Sequence, residues 1–185
     1  IGLPVLNRSN AAFKQTIGLF ASMIPTRFPC RAENRFIDLV QTIGATLRAG
    51  YRHQRFPLSE INRQAKLLES GRKRLFELSY SFEKFDHDAR FGDNAPCRTF
   101  TLTNGFEQTP LAIFVREYSE HGDIQVDFSF NLAYFDPEEI QRLRERFLHL
   151  IDEVLEHPDV PITTLNLLPP AERQLLLRDW NQTQA

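Results

Sequence analysis

Two hydrophobic periods alternate along this chain, and together they constrain its class more than any single residue does. Phe76, Leu78, Tyr80 and Phe82 interleave with Glu77, Ser79, Ser81 and Glu83. Ile124, Val126, Phe128 and Phe130 interleave in the same way with Gln125, Asp127, Ser129 and Asn131. A period of two sends alternate side chains to opposite faces of a strand, so both runs predict half-buried strands. Against them stand two stripes of period 3.6: Phe36, Leu39, Val40, Ile43 and Leu47, and then Ile140, Leu143, Phe147, Leu150, Ile151 and Val154. Each stripe is one buried face of a helix. The second helix carries the strongest start signal, with Asp136 able to cap, Pro137 suited to the first helical position, and Glu138 and Glu139 at the positive end of the dipole. His157-Pro158 ends it, and Gly50 is the expected stop of the first.

The weaker signals fill in the order. Ile1–Leu6 and Leu19–Phe28 are strand candidates around a polar loop, Asn7–Gln15, and Pro4 and Pro25 make both irregular or edge strands. A short helix is expected over Leu58–Leu68. Leu111–Tyr118 is apolar on both faces and reads as an interior strand, followed by a turn at Ser119–Asp123. Arg98–Thr103 is a further strand candidate, and Asp86–Pro96 reads as a long loop. Strands, helices, strands, helix make an α+β chain with a mostly antiparallel sheet packed with helices. Residues 1–164 are read as one domain portion. Residues 165–185, with Leu167-Leu168-Pro169-Pro170-Ala171-Glu172-Arg173 and Trp180-Asn181, are read as a tether beyond it.

Composition excludes several functions. A formal net charge of -2 gives no footing for nucleic acid. No apolar run approaches the roughly 18 residues that span a bilayer, so no membrane is expected as a partner. The N-terminus lacks the regions of a signal peptide, and Cys30 and Cys97 have no metal-ligand spacing, so they read as reduced thiols of a cytoplasmic protein. The opening Ile1, without Met and already in an apolar run, reads as a cut inside a domain. Sixteen phenylalanines against one Met and one Trp suit a core or channel walled by aromatics. His53, His87, His121, His149 and His157 are scattered, and there is neither a phosphate-cradling glycine loop nor a Gly-x-Ser-x-Gly elbow. Read alone, the sequence offers no self-contained active site.

Four segments in order carry a resemblance. Ile1-Gly2-Leu3-Pro4-Val5-Leu6-Asn7-Arg8 is similar to Val-Gly-x-Pro-x-x-x-Arg, and Ile17-Gly18-Leu19-Phe20-Ala21-Ser22-Met23-Ile24-Pro25-Thr26-Arg27 to Ile-Gly-x-Phe-Val-Asn-Thr-x-x-x-Arg. His53-Gln54-Arg55-Phe56-Pro57-Leu58 is similar to His-Gln-Asp-Tyr-Pro-Phe-Glu, and Arg74-Leu75-Phe76 to the end of Arg-Asp-x-Ser-Arg-Asn-Pro-Leu-Phe. With the C-terminal tether, these resemble the later part of a nonribosomal peptide synthetase condensation domain, most like the starter type that acylates a first amino acid. The departures matter. Ala21-Ser22-Met23 stands where Val-Asn-Thr is expected, Arg55 replaces an acidic residue, no Glu follows Leu58 directly, and the Asn-Pro is absent.

The resemblance implies a chloramphenicol-acetyltransferase-like lobe, the second of two that form a V around a tunnel. The parent reaction joins carrier-bound acyl (or fatty acyl) and aminoacyl thioesters into an amide. Its catalytic His-His-x-x-x-Asp-Gly motif belongs to the first lobe and is absent here, so the chain by itself is expected to be inactive. The implied partners are peptidyl or acyl carrier proteins bearing 4'-phosphopantetheine, the missing N-terminal lobe, and a downstream adenylation domain; no cofactor or metal is expected on the chain itself. Arg8, Ser79 and Ser81 are the substrate-tunnel candidates. Gly18, Arg27, His53, Gln54 and Pro57 are motif residues read as structural. An epimerisation-type domain, a non-catalytic carrier-recruiting domain of the same fold and a free-standing acyltransferase of the same superfamily are the alternatives; the tether toward an adenylation domain argues against the first, and the third would not need it.

Overall fold

The computed structural model describes residues 1–8, 10–85, 90–91, 95–96, 102–118 and 122–182. The chain divides into two compact units, one of Ile1–Arg27 with Ala49–Phe135 and one of Phe28–Arg48 with Asp136–Ala185.

The first unit is organised by a five-stranded sheet. Its strands are β1 (Gly2–Val5), β2 (Ser22–Pro25), β3 (Leu78–Lys84), β6 (Leu111–Glu117) and β7 (Ile124–Phe130), in the order β2-β1-β3-β6-β7. A separate two-stranded ribbon pairs β4 (Arg90–Phe91) with β5 (Ala95–Pro96) inside the expected long loop. The α+β class holds, but the sheet is mixed. β1–β2 and β6–β7 are antiparallel, whereas β1–β3 and β3–β6 are parallel. The reason is in the connections: parallel neighbours need a long crossover, and residues 26–77 and 85–110 supply two of them.

Register fixes the two faces of this sheet. Leu78, Leu111 and Phe130 stand in one row and Tyr80, Ile113 and Phe128 in the next, giving an apolar face. The opposite face carries Ser79, Ala112 and Ser129, then Ser81, Phe114 and Asp127, then Glu83, Arg116 and Gln125. Leu3, paired with Ile24, and Val5 are buried with Leu67 and Leu111. Each such side chain contributes about 1.5–3 kcal/mol by leaving water. Helix α3 (Leu58–Gln64) lies beside β2. It starts at Pro57, whose φ of -64° is already helix-compatible. It ends four residues before the expected Leu68, in turns closed by Leu67 N–H to Asn62 O and Arg72 N–H to Leu67 O. A five-residue helix, α1 (Ala11–Gln15), occupies the expected polar loop, capped by the Asn10 side chain accepting from Phe13 N–H at 2.8 Å.

Helix α2 (Phe36–Arg52) begins in the second unit and ends in the first. It runs through Gly50, a glycine inside a helix costing only about 1 kcal/mol, and stops before the turns that lead to Pro57. The second unit holds α4 (Pro137–Glu156) and α5 (Pro170–Leu177). Asp136 N–H donates to the Glu139 carboxylate at 2.8 Å, the reciprocal contact of a capping box, and His157 closes the C-terminus. Ile140, Val154 and Leu165 are buried. The segment after α4 is fastened rather than loose. Ile162 N–H donates to Asn34 O at 2.9 Å, and Asn166 N–H donates to Glu153 at 3.1 Å. The Arg146 guanidinium forks onto Glu172, with Nε to Oε2 at 2.9 Å. The strand expected at Arg98–Thr103 and the turn at Ser119–Asp123 lie largely outside the described residues, as do Cys97, His87 and His121. Cys30 is an exposed free thiol.

Candidate functional site

A charge drawn into a sheet face is stable where it is paired, and on the polar face of the first unit Arg116 is paired in this way. Arg116, with its side chain 9% exposed, donates from Nε to Glu83 Oε2 at 2.8 Å and from Nη1 to Asp127 Oδ2. Its guanidinium carbon lies 4.7 Å from the Phe114 ring centroid, within the range of a cation–π contact. Burial alone would lower the pKa of Arg116. The hydrogen bond and charge of Glu83, with the charge of Asp127, outweigh that, and its pKa is raised. The Ser81 hydroxyl, in a residue 7% exposed, donates to the other oxygen of Glu83 at 3.1 Å.

Beside this network lies a groove of about 830 Å³. Ser79, Ser81, Ala112 and Phe114 come from β3 and β6, Pro4 and Met23 from β1 and β2, and Leu58 from the start of α3. Tyr80, the segment Phe106–Thr109, the pair Lys73–Arg74, Phe76, and Asn131, Ala133 and Tyr134 complete the lining. Glu107, itself a lining residue, ties the wall together. That carboxylate accepts from Thr109 N–H at 2.9 Å and from Ser129 Oγ at 3.1 Å, while its carbonyl accepts from Asn131 Nδ2 at 2.8 Å. Arg74 braces the rim, donating to Gln108 O at 2.8 Å and to the Tyr134 hydroxyl at 3.3 Å, with its guanidinium over the Tyr134 ring. Gly2 admits Phe76 to the groove: a β-carbon at this position would sit 2.3 Å from the Phe76 ring. Among the described residues, no group of three or more His, Cys, Asp or Glu could hold a metal ion, and no helix is long and apolar enough to cross a membrane.

The structure brings together two of the three residues singled out as tunnel candidates. Ser79 and Ser81 both line the groove. Arg8 is not among its lining residues. It donates to the carbonyls of Phe13, Thr16 (2.6 Å) and Gly18 (3.1 Å), and its guanidinium covers the Phe20 ring at 4.3 Å. Gly18 thus serves as one acceptor of that clamp. Arg27 is exposed beyond β2. His53 is exposed in the turn after α2, where its N–H donates to Gly50 O at 3.0 Å and its carbonyl accepts from Phe56 N–H at 2.9 Å. Gln54 N–H donates to Tyr51 O at 3.4 Å, and Pro57 precedes α3.

The sequence profile of the condensation domain matches residues 1–177. The chain belongs to the condensation-domain family. A plipastatin synthase from Bacillus subtilis (strain 168) is 28% identical to this condensation-domain chain over 186 residues, covering 100% of the chain and 7% of the relative. A surfactin synthase from the same organism is 26% identical over 171 residues, covering 92% of the chain and 5% of the relative. The starter condensation domain of rhizomide synthetase superposes with a TM-score of 0.76 at 27% identity, over 91% of this chain and 40% of that one. The chain therefore spans less than half the length of each of these three proteins.

Several residues of this condensation-domain site escaped the sequence reading: Arg116, Glu107, Asn131 and Tyr134. Only Arg116 left a signal. An arginine that follows five apolar residues in an interior strand, Leu111–Glu117, demands a paired anion. The sequence does not say which anion, because Glu83 and Asp127 reach it only through the sheet register.

Proposed function

We propose that this chain forms one wall of the reaction tunnel of an amide-forming condensation domain, acting on acyl and aminoacyl thioesters carried on 4'-phosphopantetheine arms of carrier proteins. In that reaction the uncharged amine nitrogen of the acceptor attacks the thioester carbonyl of the donor. The C–N bond forms, the C–S bond breaks, and the thiol leaves with a proton. The observation that carries the reading is the groove on the polar sheet face, in a chain of this family, with Ser79 and Ser81 among its lining residues. Its lining combines apolar surface (Pro4, Met23, Phe76, Phe114) with uncharged hydrogen-bonding groups (Ser79, Ser81, Asn131, Tyr134) and the charged Lys73, Arg74 and Glu107, which suits a flexible arm bearing amides.

The chain contributes shape and polarity rather than a base. No two histidines are adjacent in the sequence, so the proton-accepting group is assigned to residues outside these 185. A held geometry supplies much of the rate of such an aminolysis. Arg8 is assigned to the tunnel through the loop it clamps, and residues 165–185 to the connection toward an adenylation domain. The test is an assay of the 185-residue chain with acyl- and aminoacyl-loaded carrier proteins. No amide above the uncatalysed background is expected, whereas the full-length native protein forms it. Product from the chain alone would overturn the assignment of the base elsewhere.

A further inference from the structure

We propose that Ser81 reads the polarity of the ligand in the groove: its hydroxyl is fixed as a hydrogen-bond acceptor for a ligand N–H, with Glu83 and Arg116 as the positioning residues. The inference deepens the tunnel reading and rests on it.

A serine hydroxyl has one proton and two lone pairs, and an ionised carboxylate only accepts. Ser81 Oγ lies 3.1 Å from Glu83 Oε1, so its single proton is committed to Glu83. Glu83 cannot turn away, because its other oxygen accepts from Arg116 Nε at 2.8 Å, and Arg116 is itself held by Asp127. Ser81 is 7% exposed and lines the groove, leaving only lone pairs for whatever lies there. The same device recurs in the neighbouring row. Ser129 donates to Glu107 at 3.1 Å, and Glu107 is fixed in turn by Thr109 N–H at 2.9 Å. Two hydroxyls on one sheet face are thus each oriented by a carboxylate that is itself anchored. The chemistry that fits Ser81 is an amine or amide N–H, present both on an acceptor amino acid and along a pantetheine arm.

Glu83→Gln separates this idea from a merely structural role. Arg116 can only donate, so the amide oxygen of the new side chain must face Arg116 and its NH2 group must face Ser81. Ser81 then accepts from the amide and turns its own proton into the groove, inverting the polarity offered to the ligand. The experiment uses the full-length native protein and four soluble probes: aminoacyl and 2-hydroxyacyl thioesters, each on N-acetylcysteamine and on pantetheine, with affinities read by ligand-observed NMR. Glu83→Gln and Ser81→Ala are each expected to weaken the N–H-bearing ligand about tenfold, and Ser81→Thr to restore it. If the ligand amine is the donor, the hydroxyacyl probes are unaffected by Glu83→Gln on either thiol, since a hydroxyl also accepts. If an arm amide is the donor, the hydroxyacyl probes weaken as much as the aminoacyl ones, on both thiols for the amide that N-acetylcysteamine shares with pantetheine and on pantetheine alone for the more distant amide. Ser81→Ala keeps the charge network intact and so remains informative if Glu83→Gln does not fold. Wild-type binding of the probes with no change in either variant overturns the Ser81 inference and leaves the tunnel reading standing. Failure of the wild type to bind any of the four overturns both.

Discussion

Arg116→Met removes the cation from the polar sheet face while keeping the length and apolar stem of the side chain. Glu83 and Asp127, which Arg116 joins across β3, β6 and β7, would then face one another without a counter-charge. Deleting one partner of a fully buried ion pair costs about 3–5 kcal/mol. Here the arginine is 9% exposed but the carboxylates are 29% and 37% exposed, so water solvates part of what is left behind. The expected loss is about 2 kcal/mol, which for a chain of this size lowers Tm by roughly 4–8 °C. Thermal unfolding followed by circular dichroism at pH 7 measures it. Adding Asp127→Asn to Arg116→Met removes one of the stranded charges, so the double variant should melt above the sum of the two single losses. A Tm for Arg116→Met within about 1 °C of the unaltered protein, or strictly additive losses, would refute the argument that one arginine holds this face together.

Gly2→Ala places a β-carbon against the Phe76 ring and should cost about 1–3 kcal/mol in urea unfolding, with Phe76→Leu recovering part of it. Arg8→Ala releases the carbonyls of Phe13, Thr16 and Gly18. Limited proteolysis should then cut sooner within residues 13–18, at a stability loss of about 1 kcal/mol; an unchanged cleavage pattern would deny the clamp. The hydrogen bond from Arg146 holds the Glu172 carboxyl below the usual glutamate range. A lowered folded-state pKa gives stabilisation that is present above the ordinary glutamate value, about 4.3, and lost as pH falls through the folded value. Amide exchange of α5 should accelerate over that acid range, and Glu172→Gln should flatten the dependence.

The elements that the sequence made legible are those whose signal is local. Helix α4 declares itself through Asp136, Pro137 and Glu139 and a six-residue apolar stripe, and strands β6 and β7 through their residue patterns. The parallel pairings were not legible, because alternation is the same for either direction of a neighbour. Helix α1 was hidden because five residues carry too little periodicity, and its cap, Asn10, reads equally well as a loop residue. Of the site, Ser79 and Ser81 were visible as the polar side of a strand. The groove around them was not, since its lining comes from β1, β2, β3, β6 and the Phe106–Thr109 segment. Arg8 showed the converse: its motif was legible, while its three carbonyl partners emerged only from the fold of the loop that follows it.

The parallel placement of β3 between β1 and β6 has a bearing on synthesis. As the chain emerges from a ribosome, β1 and β2 can pair early, and β3 can add to β1 once Ser79 reaches Gly2. The other edge of β3 waits for Leu111–Glu117, and Glu83 remains without Arg116 until that strand arrives. During that interval the growing sheet displays an open edge and a carboxylate with no guanidinium beside it. The long separation between pairing partners makes this a slow step. The strand that bears the groove therefore keeps an open edge until β6 arrives, and the arginine that completes its polar face comes with the strand that closes that edge.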